Sequence, residues 1–357
     1  MTSPVQEAFL SLVRLGLGRH AGNLPQSFDW SSIKALAEQQ GLLGIVLDGL
    51  DQIPSELGPL KKDRMQLIGS VLQDEEQYAV QWESACKMAQ LFANHAIRTY
   101  VLKGYVIAEC YPKPTRRKSA DMDCFLLSAD GNRDVWELGN QLVEKAGFKV
   151  SRGFYKNSTF YLPGLMVENH KFMVPLRGDK TFKKLEKLLQ GYLRTDAGED
   201  KIEGTALYRP PVMLTALFMI EHAYTHFLHE GLTWRQVLDW MLFRAKHEQD
   251  IDWPAFESHI DTFGFRRFYD AYCHLGQYLL GDLPENALTI AEKRMLADIW
   301  APLDITENPH GLKGKLSLAG STLRARWKYR TFSEISMSKA LWIWIMGYLL
   351  DRHPALD

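Results

Sequence analysis

The hydrophobic period of the chain changes twice, and those two changes limit the folds open to it. From residue 5 to about 95 the apolar residues recur at helical spacing. Phe9, Leu10, Leu12, Val13 and Leu17 share one face of a first segment, which Gly18 would cap; a second runs from about Trp30 to Gln40, with Asp29 as N-cap and Gly41 as its stop; a long third runs from Leu60 to Asn94. At residue 97 the pattern becomes short β-rich runs, IRTYVLKG, DMDCFLLS and KVSRGFYKNSTFYLPGLMVENHKFMVPL. The last reads as two or three strands with turns at Gly153, Asn157 and Pro163-Gly164, and helix-like YVIAECY and DVWELGNQLVEKAGF alternate with the strands. After Arg177 the period is helical again, first in lysine-rich DKTFKKLEKLLQGYL with a solvated face, then in PPVMLTALFMIEHAYTHFLHEG and LTWRQVLDWMLFRAKHEQ, and then in a segment with Asp252 as N-cap and Pro254 in its first turn. This order predicts an α+β, mainly helical fold. It divides into an N-terminal helical region (1–95), a small mixed-sheet α/β domain (96–200), a C-terminal helical domain (201–305) and a tail rich in Trp, Lys and Arg (306–357).

The chemistry concentrates in RRKSADMDCFLL, residues 116–127. In a strand the side-chain period is two, so Asp121 and Asp123 point to one face a few ångströms apart. Two anions on one face repel unless a cation lies between them, and a divalent metal would serve; alternatively both carboxylates point to water. The neighbours favour the metal. Upstream, a strand ends in Lys103-Gly104 and feeds straight into a helix, a turn at which backbone N–H groups can approach phosphate oxygens. Downstream, Glu168 and His170 share a face of a later strand. Three hard oxygen ligands, Asp121, Asp123 and Glu168, would hold one or two Mg²⁺ ions against a triphosphate, with Lys103 and Arg117 placed to reach the phosphates.

In these elements the chain resembles an uncharacterised bacterial nucleotidyltransferase family within the polymerase-β-like nucleotidyltransferase superfamily. They are Leu102-Lys103-Gly104, Tyr111-Pro112, Arg117, Asp121-Met122-Asp123, Glu168-Asn169-His170, and the helix with spaced histidines from His222 to Trp240. The resemblance covers roughly residues 100–240. It implies Mg²⁺-dependent transfer of a nucleoside monophosphate from an NTP, with ATP the expected donor, to an acceptor hydroxyl on a small molecule or a protein, with release of pyrophosphate. Asp121, Asp123 and Glu168 would be the catalytic metal ligands. Lys103, Gly104 and Arg117 would hold the triphosphate, and His170, His222 and His226 would lie against the nucleotide or the acceptor. The alternative is the same fold kept as a nucleotide-binding regulatory module without turnover. Two positions depart from the pattern. Tyr105 stands where the superfamily has Ser or Gly, implying a remodelled contact to the terminal phosphate. Asn169 stands where a hydrophobic residue is expected, suggesting an edge strand or cleft wall.

Composition narrows the partners. Lys plus Arg number 42 against 43 Asp plus Glu, so no global field draws in nucleic acid or an anionic membrane. The four cysteines lack C-x-x-C spacing and read as reduced, buried thiols. The N-terminus lacks the pattern of a signal peptide, and the apolar run 340–350 is about half the length of a transmembrane span, so the expected location is cytoplasmic. His222, His226 and His229, at i, i+4 and i+7, lack the H-E-x-x-H order of a zinc helix and are expected to hydrogen-bond in a groove. Arg235 and Asp239, also i and i+4, are expected to form a helix ion pair. The basic and aromatic tail is expected to dock on the body, with RNA or a membrane surface as the alternative.

Overall fold

A computed structural model of the chain describes residues 2–303, apart from 23, 26–27, 131–134, 153–154, 177–179 and 196–199, together with 325–340 and 342. The expected turn at Gly153 and most of the tail, including the apolar run 341–350 apart from Trp342, lie outside the described residues. The fold is α+β and mainly helical.

Among the described residues four α-helices precede the sheet: α1 (Pro4–Gly16), α2 (Trp30–Gln39), α3 (Leu43–Leu50) and α4 (Lys61–Ala93). Their ends follow the local chemistry. The Asp29 carboxylate accepts from the Ser31 and Ser32 amides and so caps α2, and Gly41 ends it at φ +68°.

Six strands then form one mixed sheet: β1 (Ile97–Val101), β2 (Asp121–Ser128), β3 (Val150–Ser151), β4 (Asn157–Leu162), β5 (Leu165–His170) and β6 (Leu207–Tyr208). Their order is β3-β4-β5-β2-β1-β6, with β5–β2 and β1–β6 parallel and the rest antiparallel. The short helix α5 (Tyr105–Ala108) follows β1, and α6 (Trp136–Lys145) lies between β2 and β3. Pro163-Gly164 makes the β4–β5 hairpin, with Gly164 at φ +69°. The sixth strand falls beyond residue 200, so the sheet draws on a segment that the sequence pattern assigns to the helical region.

The helices after the sheet are α7 (Lys180–Leu193, before β6), α8 (Val212–His229), α9 (Trp234–Lys246), α10 (Trp253–Thr262), α11 (Arg266–Leu280), α12 (Ile290–Trp300) and α13 (Arg326–Phe332). Among the described residues no helix is long and apolar enough to cross a membrane.

The sheet separates two cores, and strand alternation decides which residue joins which. Val101, Met122, Cys124, Leu126 and Val167 pack with Phe92 of α4 and Val143 of α6. Tyr100, Phe125 and Leu127 point the other way, into a larger core shared with the first helices and with α8, α9 and α11. Asp121 and Asp123 have the parity of Phe125. They therefore face α8.

Candidate active site

Parallel pairing of β2 with β5 sets Asp121 opposite Met166, Asp123 opposite Glu168 and Phe125 opposite His170. In a parallel ladder paired residues share a face, so Asp121, Asp123, Glu168 and His170 form one polar patch on the side of the sheet that α8 covers. Asp123 lies at the bottom, 1% exposed, whereas the side chains of Asp121 and Glu168 remain 27% and 32% exposed and line the opening. One ligand atom each from Asp123, Glu168 and His170 can be chosen so that all lie within 4.8 Å of one another.

The turn after β1 supplies the cation. Gly104 adopts φ 76° and ψ −106°, and a Cβ there would find ordinary spacing to Ser119 Oγ and the Asp121 carbonyl, so conformation rather than crowding demands glycine. This turn leaves Lys103 Nζ 2.9 Å from Asp123 Oδ2 and 3.9 Å from Asp121 Oδ2. Beside this ion pair with Lys103, the buried Asp123 Oδ2 has no other hydrogen-bond partner among the described residues. Oδ1 is satisfied by His170 Nε2 at 2.9 Å.

His170 Nδ1 lies 3.1 Å from the Phe172 carbonyl oxygen, which can only accept. With a carboxylate on its other nitrogen, the ring is best satisfied as an imidazolium donating both ways. Its pKa is accordingly raised: burial opposes the charge, but Asp123 and Glu168 outweigh it. Burial would likewise lift the Asp123 carboxyl, yet Lys103 and His170 hold it well below the usual range. Asp121 goes the other way. Burial raises its pKa, Lys103 offsets this only in part, and the charges of Asp123 and Glu168 add to the rise. The patch thus holds one carboxylate firmly ionised beside another that needs further positive charge.

Helix α8 closes the far side. His222 Nε2 lies 3.0 Å from Lys103 Nζ and must accept from it, so the ring is neutral; burial, then the Lys103 charge, push its pKa well below the ordinary value. The His226 ring packs on His222 with centroids 4.4 Å apart and donates from Nδ1 to Glu230 Oε2 at 2.8 Å. Glu221, buried one position before His222, accepts from Thr225, but its second oxygen has no partner, and burial raises its pKa. Lys103, Asp121, Asp123, Glu168, His170, His222 and His226 therefore come together around the turn at Gly104.

Arg117 does not join them, and here the sequence reading is corrected. It is 4% exposed, and its guanidinium donates to both oxygens of Asp239 at 2.8 Å, while Tyr111 donates its hydroxyl to Asp239 Oδ1 at 2.7 Å. With its charge answered bidentately inside the protein, Arg117 ties the loop before β2 to α9 and is not free for a phosphate. The expected helix pair Arg235–Asp239 is absent for the same reason. Arg235 instead donates from Nη1 to the Lys118 carbonyl.

Two further expectations change. Tyr105 turns away from the carboxylates into the core beneath α4, packing edge-on against Tyr78 and Trp82, so its hydroxyl makes no contact at the carboxylate face. Asn169 is not on an edge strand: β5 runs between β4 and β2, and the fully buried Asn169 amide donates to Asn140 Oδ1 on α6. Asp239 and Glu230 were not singled out by the sequence as members of these networks. Their partners are remote in the chain or look like an ordinary helix-end charge.

The model of a protein family described as "Uncharacterised nucleotidyltransferase" matches residues 26–281, a span that contains the whole sheet and every residue of this patch. No curated protein and no solved structure matches the chain significantly.

Proposed function

The chain belongs to this uncharacterised nucleotidyltransferase family, and from that premise we propose that it transfers a nucleoside monophosphate from an NTP, ATP being the expected donor, to an acceptor hydroxyl on a small molecule or a protein, releasing pyrophosphate. The reading extends to the polymerase-β-like superfamily and to Mg²⁺ as the metal. The observation that carries it is the convergence of Asp121, Asp123 and Glu168 beside the Lys103-Gly104 turn.

The residues fit a divalent cation. Asp123 Oδ2 is a buried carboxylate oxygen whose one partner is the Lys103 ammonium, and of the three groups whose ligand atoms converge, Asp123 and Glu168 offer hard oxygens beside His170. Asp121, Asp123 and Glu168 would hold Mg²⁺, two ions in this reading, while His170 keeps Asp123 oriented through Oδ1. When bound, the metal supplies neutralisation of the triphosphate charge and acidification of the acceptor hydroxyl. Lys103 would exchange its carboxylate contacts for phosphate oxygens, and Gly104 lets the backbone approach them closely. His222, neutral and accepting from Lys103, aims that ammonium. His226, with Nδ1 committed to Glu230, would have only its other nitrogen to offer the nucleotide or the acceptor. Glu168, at the opening, favours loss of the acceptor proton.

Calorimetric titration of each NTP, with and without Mg²⁺, into the wild type and into Asp121→Asn/Asp123→Asn tests the reading. Binding that requires both Mg²⁺ and the carboxylates, followed by pyrophosphate release in an acceptor screen, is the expected result. Absence of NTP binding to the folded wild type would sink it, and binding without release for any acceptor would point to the regulatory module.

A further inference from the structure

The cations around the opening are not equivalent. Of the basic residues in loop 113–118, Lys113 pairs with Asp48 at 2.8 Å, Arg116 lies between Asp48 and Glu75 at 3.4 and 3.5 Å, Arg117 is bound by Asp239, and Lys118 pairs with Asp74 at 3.2 Å. Lys103 is held by the catalytic carboxylates. Each of these charges is answered by an anion within the protein.

Arg235, by contrast, is not answered in this way. Among the described residues its side chain makes one hydrogen bond, from Nη1 to the Lys118 carbonyl at 2.9 Å, and it has no carboxylate partner. A carbonyl dipole orients a guanidinium without neutralising it, so four N–H donors and the full positive charge stay available. The stem is fixed as well. It lies along Gly41, where a Cβ would stand 3.0 Å from Arg235 Cδ and where φ of +68° already requires glycine. Lys118, the residue that anchors the guanidinium, is three positions before Asp121, and Ser119 next to it donates to the Asp121 carbonyl and flanks Gly104. The Arg235 charge is felt at both Asp121 and Lys103. A side chain locked at its base, oriented at one nitrogen and left uncompensated beside a carboxylate patch is set up for an anionic ligand.

We propose that Arg235, on α9, binds the terminal phosphates of the nucleoside triphosphate. It fills the place that Arg117 vacates through its pairing with Asp239. This assignment rests on the nucleotidyltransferase reading of the site and adds to it the residue that distinguishes a triphosphate from a monophosphate. The planar fork suits two oxygens of one phosphate or adjacent oxygens of two, which an ammonium cannot match.

The experiment is calorimetric titration of the four NTPs and the matching NMPs, with Mg²⁺, into the wild type, Arg235→Ala and Arg235→Lys, each checked for folding by its thermal transition. Arg235→Ala is expected to raise Kd for the NTP roughly tenfold to hundredfold, the range for a hydrogen-bonded charged contact, and to change Kd for the NMP less than about twofold. Arg235→Lys, which keeps the charge and loses the fork, should fall between and covers the case in which the alanine variant does not fold. Unchanged NTP affinity in both variants would overturn the assignment while leaving the nucleotide site intact. Equal loss for NTP and NMP would also overturn it, because the residue would then act on the α-phosphate or on the fold. If the wild type binds no NTP, the reading of the site fails first and this assignment with it.

Discussion

Two buried ionic groups hold loop 113–121 in place, and they are built on opposite plans. In the brace, Asp239 accepts from both arms of Arg117 and from the Tyr111 hydroxyl, so its charge and hydrogen-bonding capacity are met by neighbours that are themselves buried. In the carboxylate patch, Asp123 is equally buried but leaves one oxygen to the Lys103 ammonium alone, Asp121 and Glu168 add like charge beside it, and Lys103 reaches two of the three. Burial is the same in both; saturation is not. A carboxylate with every partner inside the chain stabilises the fold, whereas one left short of cation reserves its binding capacity for something that arrives from outside.

The largest effect expected from this contrast is on stability. Arg117→Ala strands the Asp239 charge in the core and should cost about 3–5 kcal/mol in denaturant unfolding, with most of it recovered in an Arg117→Met/Asp239→Leu variant that removes both charges. A stable Arg117→Ala protein with weakened NTP binding would instead make the brace part of the site.

A third buried carboxylate sharpens the comparison. Glu186 of α7 accepts from the Met173 and Val174 amides and from Gln190, yet burial outweighs these bonds and the charge of Lys156 and pushes its pKa up to about 7. The folded state then holds a proton that the unfolded chain releases near pH 4.5, so this contribution is fully present below pH 4.5 and is lost as pH rises through about 7. At 1.36 kcal/mol per pKa unit the decline amounts to about 3 kcal/mol. Glu186→Gln should flatten the profile of unfolding free energy between about pH 4.5 and 7. An unaltered slope in that variant would assign the decline to other groups.

The smallest effect has the opposite sign. Asp121→Asn relieves repulsion from Asp123 and Glu168 at a partly exposed position, and should raise the stability of the metal-free protein by up to about 1 kcal/mol while abolishing Mg²⁺-dependent NTP binding. A loss of stability equal to that of Arg117→Ala would erase the distinction between the two groups.

Much of this molecule follows from local rules. Asp29 and Asp252 cap helices because a carboxylate at that position meets free amides, and the strand DMDCFLLS puts its two aspartates on one face because the side-chain period of a strand is two. The helical, β-rich, helical order of the chain determines an α+β, mainly helical fold, and the pairing of D-x-D with Lys103-Gly104 and Glu168 marks the candidate site in the sequence. Partner choice is a different matter. The resemblance gives Arg117 the triphosphate as its target and helix spacing gives Arg235 an aspartate four residues along, yet the fold pairs Arg117 with Asp239 across 122 residues and leaves Arg235 to a carbonyl. Spacing along a helix shows only which side chains can meet in isolation. Which charge is buried, and so must take the best partner available, depends on how α9 packs against the loop before β2, which turns Arg235 outward; the turn after β1 sends Tyr105 into the core under α4, and the pairing of β5 between β4 and β2 encloses Asn169.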